Sequence, residues 1–345
     1  MATATREQQK APAQAEEKLY RVALREALFE EMERDDSVYL IGEDIGKFGG
    51  AYRVTDGLLD RFGPERVVDA PIAEEVIVGT AIGSAMLGLR PVVEMMTINF
   101  SLVAYDQIVN NAAKIRYMFG GEVKVPMVIR MPGGAGHQLS AQHSHSFEVL
   151  YGLIPGLLVV APTTPEDAKG MLKSAIRGDN PVMFLESMSL YNVRGMVPAG
   201  DYTTPLGKAA VRRQGSDVTI VGVSRMAVLA HEAAKQLEED DIDAEVIDLR
   251  SIRPVDWQPI VDSVRKTSRC IVVEEGWSTY GVTAEIAAGV QERCFDYLDA
   301  PVRRLGGAQV PMPYSQQLEK ASIPTAEDIK RLVRATIGKQ VEGSR

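Results

Sequence analysis

The sequence predicts an α/β protein built from two three-layer domains, each with a parallel or mixed sheet covered by helices. Short apolar strands alternate with helical segments along most of the chain, which is typical of parallel sheets. The 345 residues exceed what one hydrophobic core usually serves. The alternation is interrupted over 191–207, where Tyr, Pro, Gly and Thr replace the periodic pattern. We therefore expect two domains joined by a linker.

The first domain is predicted over 18–190, after a tail over 1–17 that is rich in Ala, Gln and Glu and is expected to be disordered. Apolar residues at helical spacing predict a helix over 19–34, and the apolar run that follows predicts a strand over 38–42. The other predicted elements are strands 66–69, 91–95, 125–130, 157–161 and 182–186, and helices 74–89, 102–117 and 165–177.

The second domain is predicted over 208–345 and repeats the same alternation on a smaller scale. Its predicted elements are strands 218–223, 244–249, 270–274 and 302–305, and helices 226–237, 256–266, 282–295 and 326–337. Each short apolar run is separated from the next by a segment with helical periodicity, so a second parallel sheet is indicated.

Charge and cysteine content exclude several classes of protein. Lys and Arg total 38 against 47 Asp and Glu, a net charge of −9, so binding to a nucleic-acid backbone is not expected. The two cysteines, Cys270 and Cys294, form no Cys-x-x-Cys pair, which excludes a disulfide framework and indicates a reducing compartment. No apolar run reaches the ~18 residues of a membrane span. We expect a cytoplasmic protein that does not bind membranes.

The common nucleophile and nucleotide motifs are absent: the chain has no Gly-x-Ser-x-Gly, no P-loop and no Rossmann glycine pattern. Parallel-sheet proteins usually work at the carboxyl ends of their strands. Glu74 and Glu75 follow the strand 66–69 in the first turn of a predicted helix. Acidic residues favour a helix N-terminus, and one of the two could instead serve as an acid or base; spacing alone leaves both interpretations open.

A loop rich in Gly and His follows the strand 125–130 and contains His137, His143 and His145. Imidazole titrates near neutral pH, and glycine lets the backbone approach a ligand, so the loop is suited to proton transfer. Neither a cysteine nor a further histidine supports a metal site there. On the predicted helix 74–89, Gly79 and Gly83 lie four residues apart, which predicts close packing against another helix.

Eight ordered segments resemble the β subunits of the decarboxylating first components of 2-oxo acid dehydrogenase complexes, closest to pyruvate dehydrogenase. They are 69–75, 94–100, 106–114, 116–121, 141–144, 155–157, 248–256 and 310–314. The resemblance extends over about 18–338. It implies a transketolase-like architecture, with a pyrimidine-binding domain over 18–190 and a transketolase C-terminal domain over 208–345.

In this family, thiamine diphosphate binds between the β chain and an α chain, whose Gly-Asp-Gly segment and downstream Asn hold magnesium and the diphosphate. This sequence has no Gly-Asp-Gly, and the nearest run begins at Gly178. The resemblance therefore implies that this chain contributes half of the site and needs an α subunit, in an assembly of two α and two β chains.

The resemblance also implies roles for individual residues. Glu74 would hydrogen-bond the aminopyrimidine ring nitrogen of the cofactor, and Met96 and Phe100 would pack against that ring. His143 would help bind the 2-oxo acid or lipoyl group and move protons during acyl transfer. Some relatives bind potassium, mostly through backbone carbonyls; the matching positions are Met127, Ala175, Ile176, Gly178 and Asn180, where Gly178 replaces an Asp of some relatives.

The implied function is that of a pyruvate dehydrogenase (acetyl-transferring) β subunit, an oxidoreductase subunit active only with its α subunit. The acetyl group would pass to the lipoyl group of dihydrolipoyl acetyltransferase. One alternative is the same chemistry on acetoin or on branched-chain 2-oxo acids. The other is a scaffold subunit without catalytic activity, against which the presence of Glu74, Phe100 and His143 argues.

Overall fold

Strands and helices alternate through the computed structural model, which describes residues 15–338. The strands are β1 (Glu16–Leu19), β2 (Val38–Gly42), β3 (Val67–Asp69), β4 (Arg90–Glu94), β5 (Val128–Gly133), β6 (Leu158–Val160), β7 (Val182–Ser187), β8 (Arg194–Val197), β9 (Ala210–Arg213), β10 (Val218–Gly222), β11 (Ala244–Asp248), β12 (Ser251–Arg253), β13 (Cys270–Trp277) and β14 (Arg303–Gly307). The helices are α1 (Tyr20–Arg34), α2 (Leu58–Phe62), α3 (Glu74–Met86), α4 (Ile115–Met118), α5 (Glu148–Gly152), α6 (Pro165–Arg177), α7 (Arg225–Leu237), α8 (Trp257–Thr267), α9 (Val282–Cys294), α10 (Gln316–Ser322) and α11 (Ala326–Ile337). Within 15–338, none of the helices has the length and apolarity needed to cross a bilayer.

Two large sheets organise the fold. The first has the order β12-β6-β7-β5-β4-β2-β3, and all its neighbours are parallel except β12, which runs antiparallel to β6. The second has the order β14-β13-β10-β11-β9, and its neighbours are parallel except for β9. The predicted α/β class with parallel or mixed sheets is therefore confirmed.

Helices cover both faces of each sheet, as apolar strands without polar alternation require. One face of the first sheet packs against α1 and α6, and the other packs against α3. In the second sheet, α7 and α11 cover one face. Helices α8 and α9 cover the other face, within the same apolar cluster that contains α3. A single core thus runs between the two sheets.

The chain crosses between the sheets near residue 250. Strand β12 directly follows β11 of the second sheet, yet it pairs with β6 at the edge of the first, with Ser251 opposite Val160. The backbone N–H of Ala161 also donates to the carbonyl of Arg250 at 2.7 Å. The first sheet is therefore completed by a segment that follows the predicted linker.

The predicted tail and linker both contribute to a small sheet. Residues 1–14 lie outside the described part of the chain, but Glu16 and Glu17 belong to β1. That strand pairs antiparallel with β8, which lies inside the predicted linker 191–207. The two segments show no apolar periodicity, because the pairing uses backbone groups and buries only the side chain of Val197.

The single helix predicted over 102–117 is wrong. The chain instead forms a 3₁₀ helix (Ile98–Leu102), a π-helix (Gln107–Ala112) and the short helix α4. Asn110 and Asn111 have low helix propensity and bond to side chains four residues earlier, at 2.6 and 3.1 Å. Apolar spacing alone did not reveal this change of winding.

A buried ionic cluster joins the first and second halves of the chain. Arg212 on β9 donates through Nε and Nη2 to Oδ2 of Asp248, at 3.0 and 2.8 Å. Its Nη2 also contacts Asp167 on α6, which Arg250 contacts at 2.8 Å. Both carboxylates are buried. Although burial opposes it, Arg212 and Arg250 hold the pKa of Asp167 below its usual value.

A second acid with a shifted pKa, Glu148, is half-buried on α5 near Glu274 and Glu275 of β13. Burial, together with the nearby carboxylates of Glu275 and Glu274, raises the pKa of Glu148 to about 8. The Glu148 side chain is therefore neutral in the folded chain at pH values where an unfolded chain would ionise it.

We expect Arg212→Met to lower the free energy of unfolding by about 3 kcal/mol, because it leaves the buried carboxylate of Asp248 without its cation. Urea unfolding of the purified chain measures this change. Arg61→Met serves as the control, since it removes an exposed pair with Glu33 and a surface contact with the neighbouring Phe62 ring, and it should cost less than about 1 kcal/mol. Equal effects of the two substitutions would contradict the structural role of Arg212.

We expect Glu148→Gln to flatten the pH dependence of stability. A carboxyl with a raised pKa binds a proton more tightly in the folded state, so its contribution to stability is present at low pH and is lost as pH rises towards about 8. Between about pH 5.5 and pH 7.5, the wild-type free energy of unfolding should fall by about 1 to 2 kcal/mol more than that of the variant. Urea unfolding at both pH values tests this, with the exposed Glu285→Gln as the control.

Candidate active site

The carboxyl ends of the parallel strands in the first sheet bring the predicted site residues to one edge. Strands β3, β2, β4 and β5 are neighbours in that order and run in the same direction. Glu74 follows β3, Met96 and Phe100 follow β4, and His143 lies in the loop after β5. Sequentially distant segments therefore meet at the edge where ligands bind in sheets of this type.

Glu74 is the first residue of α3, and the fold distinguishes it from its neighbour. The Glu74 side chain is only 8% exposed. Glu75 lies at the surface, 3.5 Å from the side-chain amide of Gln107. No group within residues 15–338 donates a hydrogen bond to the Glu74 carboxylate. A buried carboxylate without a donor is costly, so this position is suited to a ligand that supplies a proton or an N–H group.

Glu43 is a further candidate that the sequence analysis missed. It follows β2 directly and is buried beside Glu74. Burial, together with the charges of Glu74 and Asp44, raises the pKa of Glu43. Glu43 therefore keeps its proton to higher pH than an ordinary glutamate. The signal available in the sequence was an acidic residue immediately after an apolar strand.

Phe100 and His143 are brought together by the fold. Their rings meet edge to face, with centroids 5.2 Å apart. Phe100 and Met96 are both half-buried. Asn99 connects the two segments, because its Oδ1 accepts the backbone N–H of His145 at 3.2 Å. The loop after β4 and the loop after β5 therefore form one wall of the edge.

The three histidines of the Gly- and His-rich loop have different environments. His137 is exposed, whereas His145 stacks on Phe147 with ring centroids 4.1 Å apart. Burial lowers the pKa of His145, and its Nδ1 has no hydrogen-bond partner in the described chain. Only His143 contacts one of the other predicted site residues, Phe100.

A buried arginine, which the sequence analysis also missed, connects three neighbouring strands near this edge. Arg130 on β5 donates through Nη1 to Glu94 at 2.5 Å, and through Nε and Nη2 to the two oxygens of Glu186 at 2.7 and 2.8 Å. The hydroxyl of Tyr191 donates to Glu186 at 2.6 Å. Although burial disfavours the charge, these carboxylates raise the pKa of Arg130. The signal was a charged residue inside an otherwise apolar strand.

The predicted potassium positions have other partners. Arg90 donates through Nη1 to the carbonyls of Ile176 and Gly178 at 2.9 and 2.7 Å. The carbonyl of Met127 accepts from Val182, that of Ala175 accepts from the N–H of Gly178, and the side-chain oxygen of Asn180 accepts from Arg116. A guanidinium therefore already supplies positive charge at two of the five positions. Each of the five oxygens thus already accepts a hydrogen bond from the protein. The contacts do not favour the potassium site, which stays a prediction.

Across residues 15–338, no group of three or more His, Cys, Asp or Glu side chains is arranged to hold a metal ion. The geometry does fit the aminopyrimidine end of thiamine diphosphate. A protonated ring nitrogen would give the Glu74 carboxylate the donor that it lacks, and Met96 and Phe100 offer half-buried apolar contact nearby along the same edge.

Comparisons with known proteins agree with this geometry. The family model described as transketolase, pyrimidine binding domain, matches residues 16–194, and the one described as transketolase, C-terminal domain, matches 207–329. The protein named pyruvate dehydrogenase E1 component subunit beta from Rickettsia conorii is 50% identical over 314 residues, covering 91% of this chain and 96% of its own length. The protein named pyruvate dehydrogenase E1 component subunit beta-1, mitochondrial, from Arabidopsis thaliana is 50% identical over 323 residues. The match covers 92% of this chain and 89% of that protein.

A solved structure described as a split gene transketolase in an inactive beta4 tetramer superimposes with a TM-score of 0.77 at 25% identity. The match covers 93% of this chain and 99% of that one. Sequence and fold therefore lead to the same assignment. The chain belongs to the family of pyruvate dehydrogenase E1 component β subunits, which are built from transketolase-type domains.

Proposed function

We propose that this chain is the β subunit of a thiamine-diphosphate-dependent pyruvate dehydrogenase (acetyl-transferring). With an α subunit, it would decarboxylate pyruvate oxidatively and pass the acetyl group to the lipoyl group of dihydrolipoyl acetyltransferase. The observation that carries the proposal is the buried carboxylate of Glu74, which has no donor within residues 15–338 and lies at the carboxyl edge of the first sheet. Relatives about half identical over nine-tenths of the chain support it by their names.

When bound, thiamine diphosphate supplies a nucleophilic carbon and an electron sink for decarboxylation. Glu74 would accept a hydrogen bond from the aminopyrimidine ring and could exchange a proton with it, which a carboxyl group can do and an amide cannot. Met96 and Phe100 would pack against the ring and keep water away from it. His143 would face the substrate side, where an imidazole can bind the 2-oxo acid or lipoyl group and move protons.

The proposed α subunit would complete the site and hold magnesium and the diphosphate, since this sequence has no Gly-Asp-Gly. An apolar surface on and around α3 suits such a partner: Ile72 is 80%, Val76 is 65% and Leu87 is 88% exposed. A Cβ at Gly83 would meet nothing within 4 Å, so the small residues of this helix leave room for a second helix. We infer an assembly of two α and two β chains.

The proposal places the enzyme in the cytoplasm. Cys270 and Cys294 support this compartment, because both thiols are free and buried. Reducing conditions keep such thiols unpaired.

We expect Glu74→Gln to lower the rate of pyruvate decarboxylation by at least about 100-fold in the α/β assembly, because the amide keeps the shape but loses the proton exchange. Ferricyanide reduction with pyruvate measures this rate. Glu75→Gln is the matched control, since its side chain is the exposed neighbour and should retain near-normal activity. Near-normal activity of Glu74→Gln would contradict the proposal.

Substrate choice is tested in the same assay. We expect kcat/KM for pyruvate to exceed that for acetoin and for 3-methyl-2-oxobutanoate by about tenfold or more, the scale of discrimination that small differences in an apolar pocket can give. A preference for either of the other compounds would replace pyruvate in the proposal while leaving the role of Glu74 intact.

Gly83→Leu tests the α-subunit surface. The substitution meets open space in this chain and improves helix propensity, so the thermal midpoint of the chain should not fall. Binding to the α subunit should weaken by about tenfold or more, as measured by titration, because the new side chain keeps the helices apart. Glu232→Leu, on the exposed face of α7, is the control that adds a similar apolar group elsewhere. Unchanged affinity in Gly83→Leu would show that the partner binds another surface.

A further inference from the structure

Two carboxylates of the C-terminal half of the chain hold the backbone of the loop that carries His143. Glu275 on β13 accepts the backbone N–H of Ala135 at 2.6 Å. Glu319 on α10 accepts the N–H of Gly136 at 2.9 Å, and its two oxygens each lie 3.1 Å from the N–H of Gln138. Both carboxyl groups are buried. Charge-assisted bonds of this kind are stronger than neutral ones.

The glycines of the loop make these contacts sterically accessible. Gly134 and Gly136 have φ values of +91° and +103°, which other residues rarely adopt. A Cβ at Gly134 would lie 2.7 Å from Oε1 of Glu275, inside the contact limit. The Gly-rich composition therefore serves to turn successive N–H groups towards the two carboxylates, forming an anion-binding concavity that protein side chains occupy.

Further contacts fix the base of the loop. The N–H of Gly134 donates to the carbonyl of His145 at 2.9 Å, which closes the segment between them. Arg225 contacts Oε2 of Glu275 at 3.3 Å and donates to the hydroxyl of Ser189 at 2.9 Å. That hydroxyl donates to the carbonyl of Ala135 at 3.0 Å. The carboxylate of Glu275 is therefore charge-balanced and connected through Arg225 to the segment that follows β7.

The tip of the loop is more exposed to solvent than its base. Leu139 is exposed, and His143 is partly exposed and meets Phe100 edge to face. The direction of the His143 side chain thus depends on how firmly the base is held. Among the described residues, no group of the first sheet accepts a hydrogen bond from the N–H of Gly136 or of Gln138. These two N–H groups donate to Glu319 instead.

We infer that Glu319 and Glu275 are positioning residues: they hold the loop so that His143 faces Phe100, and through them the C-terminal half of the chain controls the geometry of a site on the first sheet. The kinetic part of this inference rests on the proposed function, because it uses acyl transfer as a measure of His143. The structural part rests on the loop contacts alone.

Hydrogen exchange on the α/β assembly tests the structural part. Glu319→Gln replaces an acceptor by an amide whose NH₂ group faces backbone donors, so the amides of Gly136 and Gln138 should exchange about 10- to 100-fold faster. Glu245→Gln is the matched control, because Glu245 is equally buried and accepts the N–H of Gly215, away from the loop. It should leave exchange over 132–146 unchanged. If Glu319→Gln does not fold, Glu319→Asp takes its place in the test, because the shorter side chain keeps the charge but moves it away from the N–H groups of Gly136 and Gln138.

A double-mutant cycle tests the kinetic part. Glu319→Gln should lower acetylation of a lipoyl domain relative to ferricyanide-linked pyruvate oxidation, in the same direction as His143→Ala. In the His143→Ala background it should have little further effect, because the residue that it positions is gone.

Slow, wild-type exchange over 132–146 in Glu319→Gln would overturn the inference. Equal losses of acetylation with and without His143 would also overturn it, since Glu319 would then act independently of that residue. A wild-type assembly that fails to oxidise pyruvate would refute the proposed function instead, and the exchange measurement would still decide whether Glu319 holds the loop.

Discussion

The bonds between Arg130 and its two carboxylates determine how the edge of the first sheet that carries the candidate site is built. Arg130 lies on the central strand β5 and reaches Glu94 on β4 and Glu186 on β7, so one guanidinium ties three adjacent strands together close to their carboxyl ends. Removing one partner from such a buried arrangement is far more costly than losing a surface pair. The loops that carry Phe100 and His143 begin directly beyond these strands, so their starting points are fixed by this network.

The same edge carries two buried acidic groups. Glu43 and Glu74 lie side by side, and burial and mutual repulsion raise the pKa of Glu43. Burial, together with Glu275 and Glu274, also raises the pKa of Glu148 to about 8. Partial or full burial thus makes Glu43 and Glu148 hold their protons more tightly than a glutamate in water does.

The apolar strands, the sheet class and the position of Glu74 at a helix N-terminus were predictable, because each depends on residues close together in sequence. The short strands β1, β8, β9 and β12 were not, because they lack a continuous apolar run. Periodicity could not choose between Glu74 and Glu75, since burial depends on how α3 packs against the sheet. It also missed the π-helix at Gln107–Ala112. Arg130, and the contacts of Glu275 and Glu319 with the histidine loop, join residues about 36 to 183 positions apart. No local pattern reports such contacts.

The return of β12 to the first sheet has an evolutionary consequence. The two family matches meet near residue 200, but the strand that covers β6 is encoded some fifty residues beyond that junction. A gene cut at the junction would yield a half whose sheet ends in a bare edge, and bare edges recruit foreign strands and promote aggregation. Recombination that exchanged one half for a distant homologue would have to preserve this borrowed strand.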